Sequence, residues 1–412
     1  MRIAYLCLDS GIPVLGGKGA SVHVRAFVTA LGRLGHEVRI FCTRPGEGNP
    51  APAPLTALER PSREAAIAAC MGRGLTPAVL EDEALASELR RIAHDELLPA
   101  QMGAAFGGWR PDLIIERHAL FHAAGAEIAR TLAIPRLLEV NAPLVEEQAA
   151  FRTLRLRALA EEVEARSMQA AQGVVAVSAP VAAYVRARGV AAERIMVAPN
   201  GVDCALFAPE DAGAEVRAFH GLGAGPVIGF FGSFKIWHGV DFLLDAFAAI
   251  AAEHAQVRLL CLGHGPRLEA VEARAAALGL AGRAIFPGPV PHAEVPAHLA
   301  AMDLTVAPYL PQEDFYFSPL KVVESLAAGR PVVAPRSGQI PELVEHGETG
   351  LLYQPGDLAA CIGAIRRLLE DPSLRRRMGA AGAARAQASW DWQQVARAVL
   401  ARLAPEAMTQ AA

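Results

Sequence analysis

The sequence predicts an α/β protein made of two doubly wound parallel-sheet domains in tandem. Short β-rich runs alternate with longer Ala- and Leu-rich helical stretches along the chain, the pattern of parallel sheets covered by helices. The runs fall into two successive sets of about six, separated by a glycine-rich stretch. A (β/α)8 barrel would need only eight strands and no break. At roughly 150 residues per domain, 412 residues fit two or three domains.

In order, the first set is Arg2–Cys7, Glu37–Cys42, Asp112–Glu116, Pro135–Val140, Gly173–Val177 and Arg194–Ala198. The second is Val227–Phe231, Gln256–Leu262, Arg283–Phe286, Asp303–Ala307, Pro331–Ala334 and Thr349–Leu352. Between them, Asn200 to Gly225 carries Gly201, Pro209, Gly213, Gly221 and Gly223 and reads as a linker. The proline-rich opening of the stretch from Pro45 to Gly108 cannot continue a strand or helix, and a helical stretch from Ser62 to about Ala104 follows; the whole reads as an elaboration. Ser389-Trp390-Asp391-Trp392 precedes a last amphipathic helix to about Leu403, and two tryptophans are a large apolar area for a solvated tail. The expected division is a first domain over 1–200, elaborated over about 45–108, a second over 201–388, and a segment 389–412 that docks back across the domains.

Composition narrows the function. Hydrophobic residues at 52% suit packed cores and exclude a disordered chain. Lys and Arg number 39 against 43 Asp and Glu, a net charge of −4, so no global field is available to hold nucleic acid. The apolar start is interrupted at Asp9, too short for a signal peptide, and no run of 18 apolar residues occurs. Cys7, Cys42, Cys70, Cys204, Cys261 and Cys361 form no CxxC pair and read as buried hydrophobes in a reducing compartment. A soluble, cytoplasmic protein is expected.

Open parallel sheets bind ligands outside the carboxyl ends of their strands, and the motifs lie in those turns. After Arg2–Cys7 the loop Asp9–Gly19 contains Gly16-Gly17-Lys18-Gly19 and opens a helix from Ala20, offering free N–H groups to an anion. It is neither a dinucleotide fingerprint nor a P-loop. After Val227–Phe231 comes Gly232-Ser233-Phe234-Lys235-Ile236-Trp237-His238-Gly239. Lys235 and His238 are two potential cations for a phosphate; a surface lysine and a structural histidine are the plain alternatives. Phe317-Ser318-Pro319-Leu320-Lys321-Val322-Val323-Glu324 is the most informative stretch. Ser318 reads as N-cap, Pro319 as first helical residue and Gly329 as the stop. The free N–H groups with Lys321 suit a diphosphate. Glu324, an anion, is better placed to accept from ribose hydroxyls.

These residues resemble the nucleotide-sugar-binding motif of the family 4 glycosyltransferases, retaining enzymes of the GT-B fold, in a Ser-Pro-Leu-Lys loop variant of the bacterial glycan-assembly type. Pro199-Asn200-Gly201-Val202-Asp203 with Phe207 and Pro209 resembles the family's linker signature. Gly263-His264-Gly265-Pro266, Leu278-Gly279-Leu280 and Phe286-Pro287-Gly288 resemble its middle pattern, and Glu342-Leu343-Val344 with Gly347 and Gly350-Leu351-Leu352 its closing one. Only the elaboration is uncovered.

The resemblance implies transfer of a sugar from a UDP- or GDP-sugar to a hydroxyl on a glycan or lipid-linked acceptor, with retention and no required cofactor. It puts Glu324 on the ribose, Ser318, Pro319, Leu320 and Lys321 at the diphosphate, Phe286 near the base, and Gly16 and Gly17 closing on the donor. Departures stand at three places. Tyr316 replaces the motif's first glutamate. Ser233 and His238 stand where an Arg and a Lys are usual beyond Gly232, leaving Lys235 as replacement cation. Asn141 lies in a loop where many relatives carry a histidine, with His118 in another, and both are acceptor-side candidates. Lys235, Glu324 and Tyr316 are the catalytic candidates. No Asp-x-Asp lies near the motifs, and no metal-ligand cluster is read. Two rivals remain: a non-catalytic sugar-nucleotide-binding protein and a sugar-nucleotide 2-epimerase, the latter weakened because Tyr316 removes one acid/base carboxylate. Arg152, Arg155, Arg157 and Arg166 on one predicted helix with Leu154, Leu156 and Leu159 suit peripheral contact with anionic lipid; with Glu161, Glu162 and Glu164 the same helix reads equally as a solvated face.

Overall fold

The computed structural model describes residues 1–72, 81–207, 212–312, 315–316 and 318–402. The chain forms two compact units: Met1–Pro199 together with the stretch that begins at Val395, and Asn200–Gln394. Pro209, Phe317 and Leu403, named above, lie outside the described residues.

The first unit holds seven strands: β1 (Arg2–Cys7), β2 (Glu37–Cys42), β3 (Leu55–Ala57), β4 (Leu113–Arg117), β5 (Arg136–Val140), β6 (Gly173–Ala176) and β7 (Ile195–Val197). Their order is β3-β2-β1-β4-β5-β6-β7, and every pairing is parallel. The second unit holds six, β8 (Val227–Phe231), β9 (Arg258–Leu262), β10 (Ala284–Gly288), β11 (Leu304–Val306), β12 (Val332–Pro335) and β13 (Gly350–Tyr353), in the order β10-β9-β8-β11-β12-β13. Both sheets are doubly wound: the order reverses at β1/β4 and again at β8/β11. Side chains alternate between the faces, as strand geometry requires. Val227, Phe231, Leu260 and Leu262 enter one core of the second unit, while Ile228, Phe230, Leu259 and Cys261 enter the other. The near-continuous apolar runs of these strands follow from burial on both faces.

Three expectations are corrected. The stretch from Pro45 is followed by a seventh strand, β3, pairing Ile40 with Leu55; prolines are tolerated beside it because it is a short edge strand. The presumed linker carries a helix, Ala212–Phe219, and buries Val202, Cys204, Phe207 and Leu222 in the second unit's core. Its glycines serve packing: a Cβ on Gly213 would lie 2.5 Å from the Ala300 carbonyl oxygen. The predicted basic helix breaks into Leu144–Phe151 and Arg157–Gln169. Between them Arg155 pairs with Asp82 at 2.8 Å, and Leu154, Leu156 and Leu159 pack against a buried cluster with Leu89 and Val145. Leucines and arginines thus serve different neighbours, and no continuous basic face forms on one helix. Trp390 and Trp392 are buried, as their apolar area implies, and Val202 bridges the pair: its N–H donates to the Trp390 carbonyl at 2.8 Å, and Trp392 N–H donates to its carbonyl at 3.0 Å. Among the described residues no helix is long and apolar enough to cross a membrane.

The first unit is locked from within by an ion pair. Arg136 Nε donates to Glu116 Oε2 at 2.6 Å with both side chains almost fully enclosed, and the guanidinium also reaches the Ser167 carbonyl and hydroxyl at 2.9 and 2.8 Å. Gly125 makes room for the carboxylate, since a Cβ there would sit 1.8 Å from Glu116 Oε2. Removing one member leaves a buried charge unpaired. Arg136→Leu should therefore cost about 3–5 kcal/mol of unfolding free energy. Adding Glu116→Leu should recover much of it, as denaturant unfolding of the single and double variants will show.

Candidate functional site

At a switch point the helices after two neighbouring strands go to opposite faces, which opens a crevice at their carboxyl ends. In the second unit this point lies between β8 and β11. The loop after β8 is held by its neighbours. Gly232 N–H donates to the Leu262 carbonyl at 3.0 Å, Phe234 N–H to His264 at 2.9 Å, and Gly263 N–H to Gly288 at 2.8 Å. Backbone meets backbone so closely that a Cβ on Gly263 would lie 1.9 Å from the Gly232 carbonyl oxygen, and Gly263 has φ +125°. This is why the middle pattern needs glycines.

The helix Leu320–Ala327 follows the loop after β11. Its cap differs from expectation: Pro319 occupies the N-cap and makes no side-chain cap. Ser318 Oγ instead accepts from Asn200 N–H at 3.0 Å, while Asn200 Nδ2 donates to the Ser318 carbonyl at 3.0 Å. The expected cap residue is thus spent in fastening its loop, leaving the first helical N–H groups free of side-chain acceptors. The helix ends at Gly329 (φ +66°), as expected.

Lys321 and Glu324 stand one turn apart on this helix, both buried. Lys321 Nζ has no hydrogen-bond partner. It lies 4.4 Å from the Phe230 ring centroid and 4.9 Å from that of Tyr309, and a Cβ on Gly232 would come within 2.9 Å of it. The ring faces give some cation–π support but accept no hydrogen bond. Burial therefore pulls the ammonium down to about 7, against a smaller opposing pull from Glu324. Glu324 Oε1 accepts from His292 Nε2 at 2.9 Å. The sequence reading missed His292, Tyr309 and the clamp role of Asn200. Asn200 sat inside a quoted signature, but nothing in the local sequence marks the other two.

His238 is not a cation here. Burial pushes its imidazole down to about 3, and Lys321 deepens the fall; its Nδ1–H donates to the Ser233 carbonyl at 2.5 Å. Lys235 is exposed, its Nζ 4.8 Å from the Trp237 ring centroid. Phe286 is half-buried against the second unit's core, 6.4 Å from the Phe234 ring. Pro319 is buried, and Leu320 and Tyr316 are half-buried. The structure therefore brings Gly232, Ser233, His238 and Lys321 together beyond the end of β8, with Glu324 a turn along the helix, where His292 reaches it from another segment.

In the first unit, the loop after β1 is shaped by Arg25, whose Nη1 donates to the Val14 and Gly16 carbonyls at 2.7 and 2.6 Å. Gly17 is exposed, with open space where a Cβ would be. His118 is buried, its Nε2 3.0 Å from Glu164 Oε1, and Glu164 also accepts from Tyr184 and Arg188. Asn141 Oδ1 is buried with no partner. Beside it, Glu139 accepts from Tyr5 OH at 2.5 Å and pairs with His23 at 3.1 Å. Burial pushes the Glu139 carboxyl up, but His23 and its other partners hold it below its usual value.

The lysine predicts a pH signature. Between about pH 7 and the ordinary lysine value of 10.5 the unfolded chain keeps a proton that the folded Lys321 has released. Stability should therefore rise with pH through this group across that window. Lys321→Met should flatten the rise in denaturant unfolding, and a phosphate ligand that recharges the lysine should be bound with proton uptake above pH 7.

Comparison with known proteins identifies the family and the fold. Residues 17–206 match the family described as Glycosyltransferase Family 4, and residues 225–371 that described as Glycosyl transferases group 1. A GDP-mannose-dependent alpha-(1-6)-phosphatidylinositol monomannoside mannosyltransferase of Mycolicibacterium smegmatis is 35% identical over 199 residues, 47% of this chain; the match spans about half, 52%, of that relative's length. A D-inositol 3-phosphate glycosyltransferase of Streptomyces scabiei is 30% identical over 348 residues, covering 79% of this chain and 77% of the relative. Among solved structures, Anabaena HepE in complex with UDP superposes with a TM-score of 0.72 at 21% identity over 98% of this chain and 99% of the other. WaaG, a glycosyltransferase involved in lipopolysaccharide biosynthesis, does so at 0.67 and 14% identity over 98% and 100%. The fold is GT-B, and with both family matches and a relative alike along most of its length, the chain belongs to glycosyltransferase family 4.

Proposed function

We propose that the protein is a retaining glycosyltransferase that moves a sugar from a nucleoside-diphosphate sugar to a hydroxyl acceptor, in bacterial glycan or glycolipid synthesis. The observation that carries this reading is the buried, unpartnered Lys321 ammonium beside Gly232, on the same helix as Glu324. Relatives named for GDP-mannose and a neighbour named with UDP support a UDP- or GDP-sugar donor.

In this reading the diphosphate fills the crevice at the β8/β11 switch point. The free N–H groups of the helix and Lys321 meet its oxygens, and Lys235 adds a second charge from the exposed side of the loop. Glu324, steadied by His292, accepts from the ribose. When the anomeric C–O bond breaks, negative charge gathers on the departing phosphate, and donors already in place stabilise it without reorganisation. The acceptor oxygen bonds the anomeric carbon on the face the diphosphate leaves, and its proton passes to a departing phosphate oxygen. Tyr316 offers a neutral phenol and a flat ring where a glutamate would carry charge, which suits a reader of the sugar.

Glu324→Ala should abolish transfer and weaken donor binding while the fold survives; unchanged donor affinity by calorimetry would remove the ribose assignment. Lys321→Met should slow turnover on the scale of a lost transition-state donor, about 10²–10³-fold. Lys235→Ala should cost less than that and clearly more than Lys18→Ala in the same rate assay. Tyr316→Ala should leave affinity for the free nucleoside diphosphate within about 1 kcal/mol and lower transfer from the intact donor far more. If binding and transfer fall by one factor, Tyr316 packs its loop and does not read the sugar. Release of free nucleotide, against conversion of the sugar nucleotide to an epimer, separates transfer from the isomerase rival.

A further inference from the structure

The first unit has its own switch point, between β1 and β4, and Arg117 is the last residue of β4, in register with Cys7 of β1 and Glu139 of β5. Its side chain is 9% exposed, and its Nη1 is buried with no acceptor in reach. A guanidinium cannot shed its charge and carries five donors, so enclosure without acceptors is costly. The neighbouring Glu139 carboxylate lends a counter-charge but no hydrogen bond to Nη1. Both Glu139 oxygens are committed, one to Tyr5 at 2.5 Å and one to His23 at 3.1 Å. Arg136, the comparably buried arginine of this sheet, has Glu116 and Ser167 as partners. The contrast separates a structural arginine from one whose donors await something else. Two residues beyond Glu139, Asn141 Oδ1 is buried and likewise without a partner: an acceptor waiting for a donor.

We infer that Arg117 binds an anionic group of the acceptor, a phosphate or a carboxylate, at the β1/β4 switch point, while Asn141 Oδ1 accepts from a neighbouring hydroxyl. The inference deepens the glycosyltransferase reading and rests on it for calling this ligand the acceptor. Planar, forked recognition of a carboxylate or phosphate is the chemistry for which arginine is suited. The first unit would then select acceptors that carry negative charge near the reacting hydroxyl.

The test follows the Arg117 Nε–H resonance of the full chain labelled with 15N-arginine, assigned by its loss in Arg117→Met. Inorganic phosphate, glucuronate and glucose are titrated separately at constant ionic strength. The expected result is a saturable shift with phosphate or with glucuronate and none with glucose; the anion that binds more tightly identifies the charged group. Arg117→Met should weaken binding of that anion about tenfold or more, as loss of a charged hydrogen bond implies. Absence of a saturable shift with both anions, or an equal shift with glucose, overturns the inference. Should Arg117→Met fail to fold, Arg117→Lys removes the same resonance and keeps the charge. UDP and GDP binding is measured on the same samples and should be unchanged by either substitution. Failure of the wild-type chain to bind both nucleotides would sink the donor reading while the Arg117 titration still stands or falls by itself.

Discussion

A lysine ammonium enclosed by aromatic faces and denied every hydrogen-bond acceptor is the constraint on which the second unit's site depends. Lys321 is charged in water and enclosed here, so burial draws its proton affinity down to about 7 against the opposing pull of Glu324. The surroundings enforce this. Phe230 enters from β8, Tyr309 from the loop after β11, and Gly232 removes the side chain that would collide with Nζ. Gly263 in turn must lack a Cβ for the Gly232 carbonyl to be where it is. A ligand bearing phosphate oxygens relieves all of this at once, because it supplies the acceptors and restores the charge. In the proposed function, that desolvation energy would be available at the oxygen that gains charge.

The two sheets share one winding and handle their buried cations differently. Arg136 is paired and hydrogen-bonded, and it serves stability. Arg117, the last residue of β4, and Lys321, on the helix that follows β11, stand beside their switch points, and each has an enclosed nitrogen without a partner. Position on the sheet thus separates roles that residue type cannot. The carboxylates near these cations act on them by charge, while their own hydrogen bonds go elsewhere: Glu139 to Tyr5 and His23, and Glu324 to His292.

The strand runs were legible because burial on both faces makes them continuously apolar, and twelve of them align with the observed strands to within about two residues at their ends. The thirteenth, β3, escaped because three residues at a sheet edge carry no apolar period and are preceded by prolines. The presumed linker departs from expectation for a related reason. Its glycines permit close packing, as at Gly213, and glycine count alone does not separate a flexible segment from a crowded one. Ser318 reads as a cap from its side-chain chemistry, yet Asn200, 118 residues away in sequence, takes the same oxygen.

The sequence by itself determined the fold class, the order of the elements, the turns in which chemistry would lie and the family to which the motifs belong. All of these are written in local periodicity, in glycine spacing and in residues a few positions apart. Only the tertiary structure decided which charges are real and which are free. It made His238 neutral, set Lys235 in the open over Trp237, enclosed Lys321 and brought His292 to Glu324. The physical reason is that a titratable group's charge depends on desolvation and on neighbours within a few ångströms. Those neighbours come from strands and loops far apart along the chain, so no window of sequence contains them.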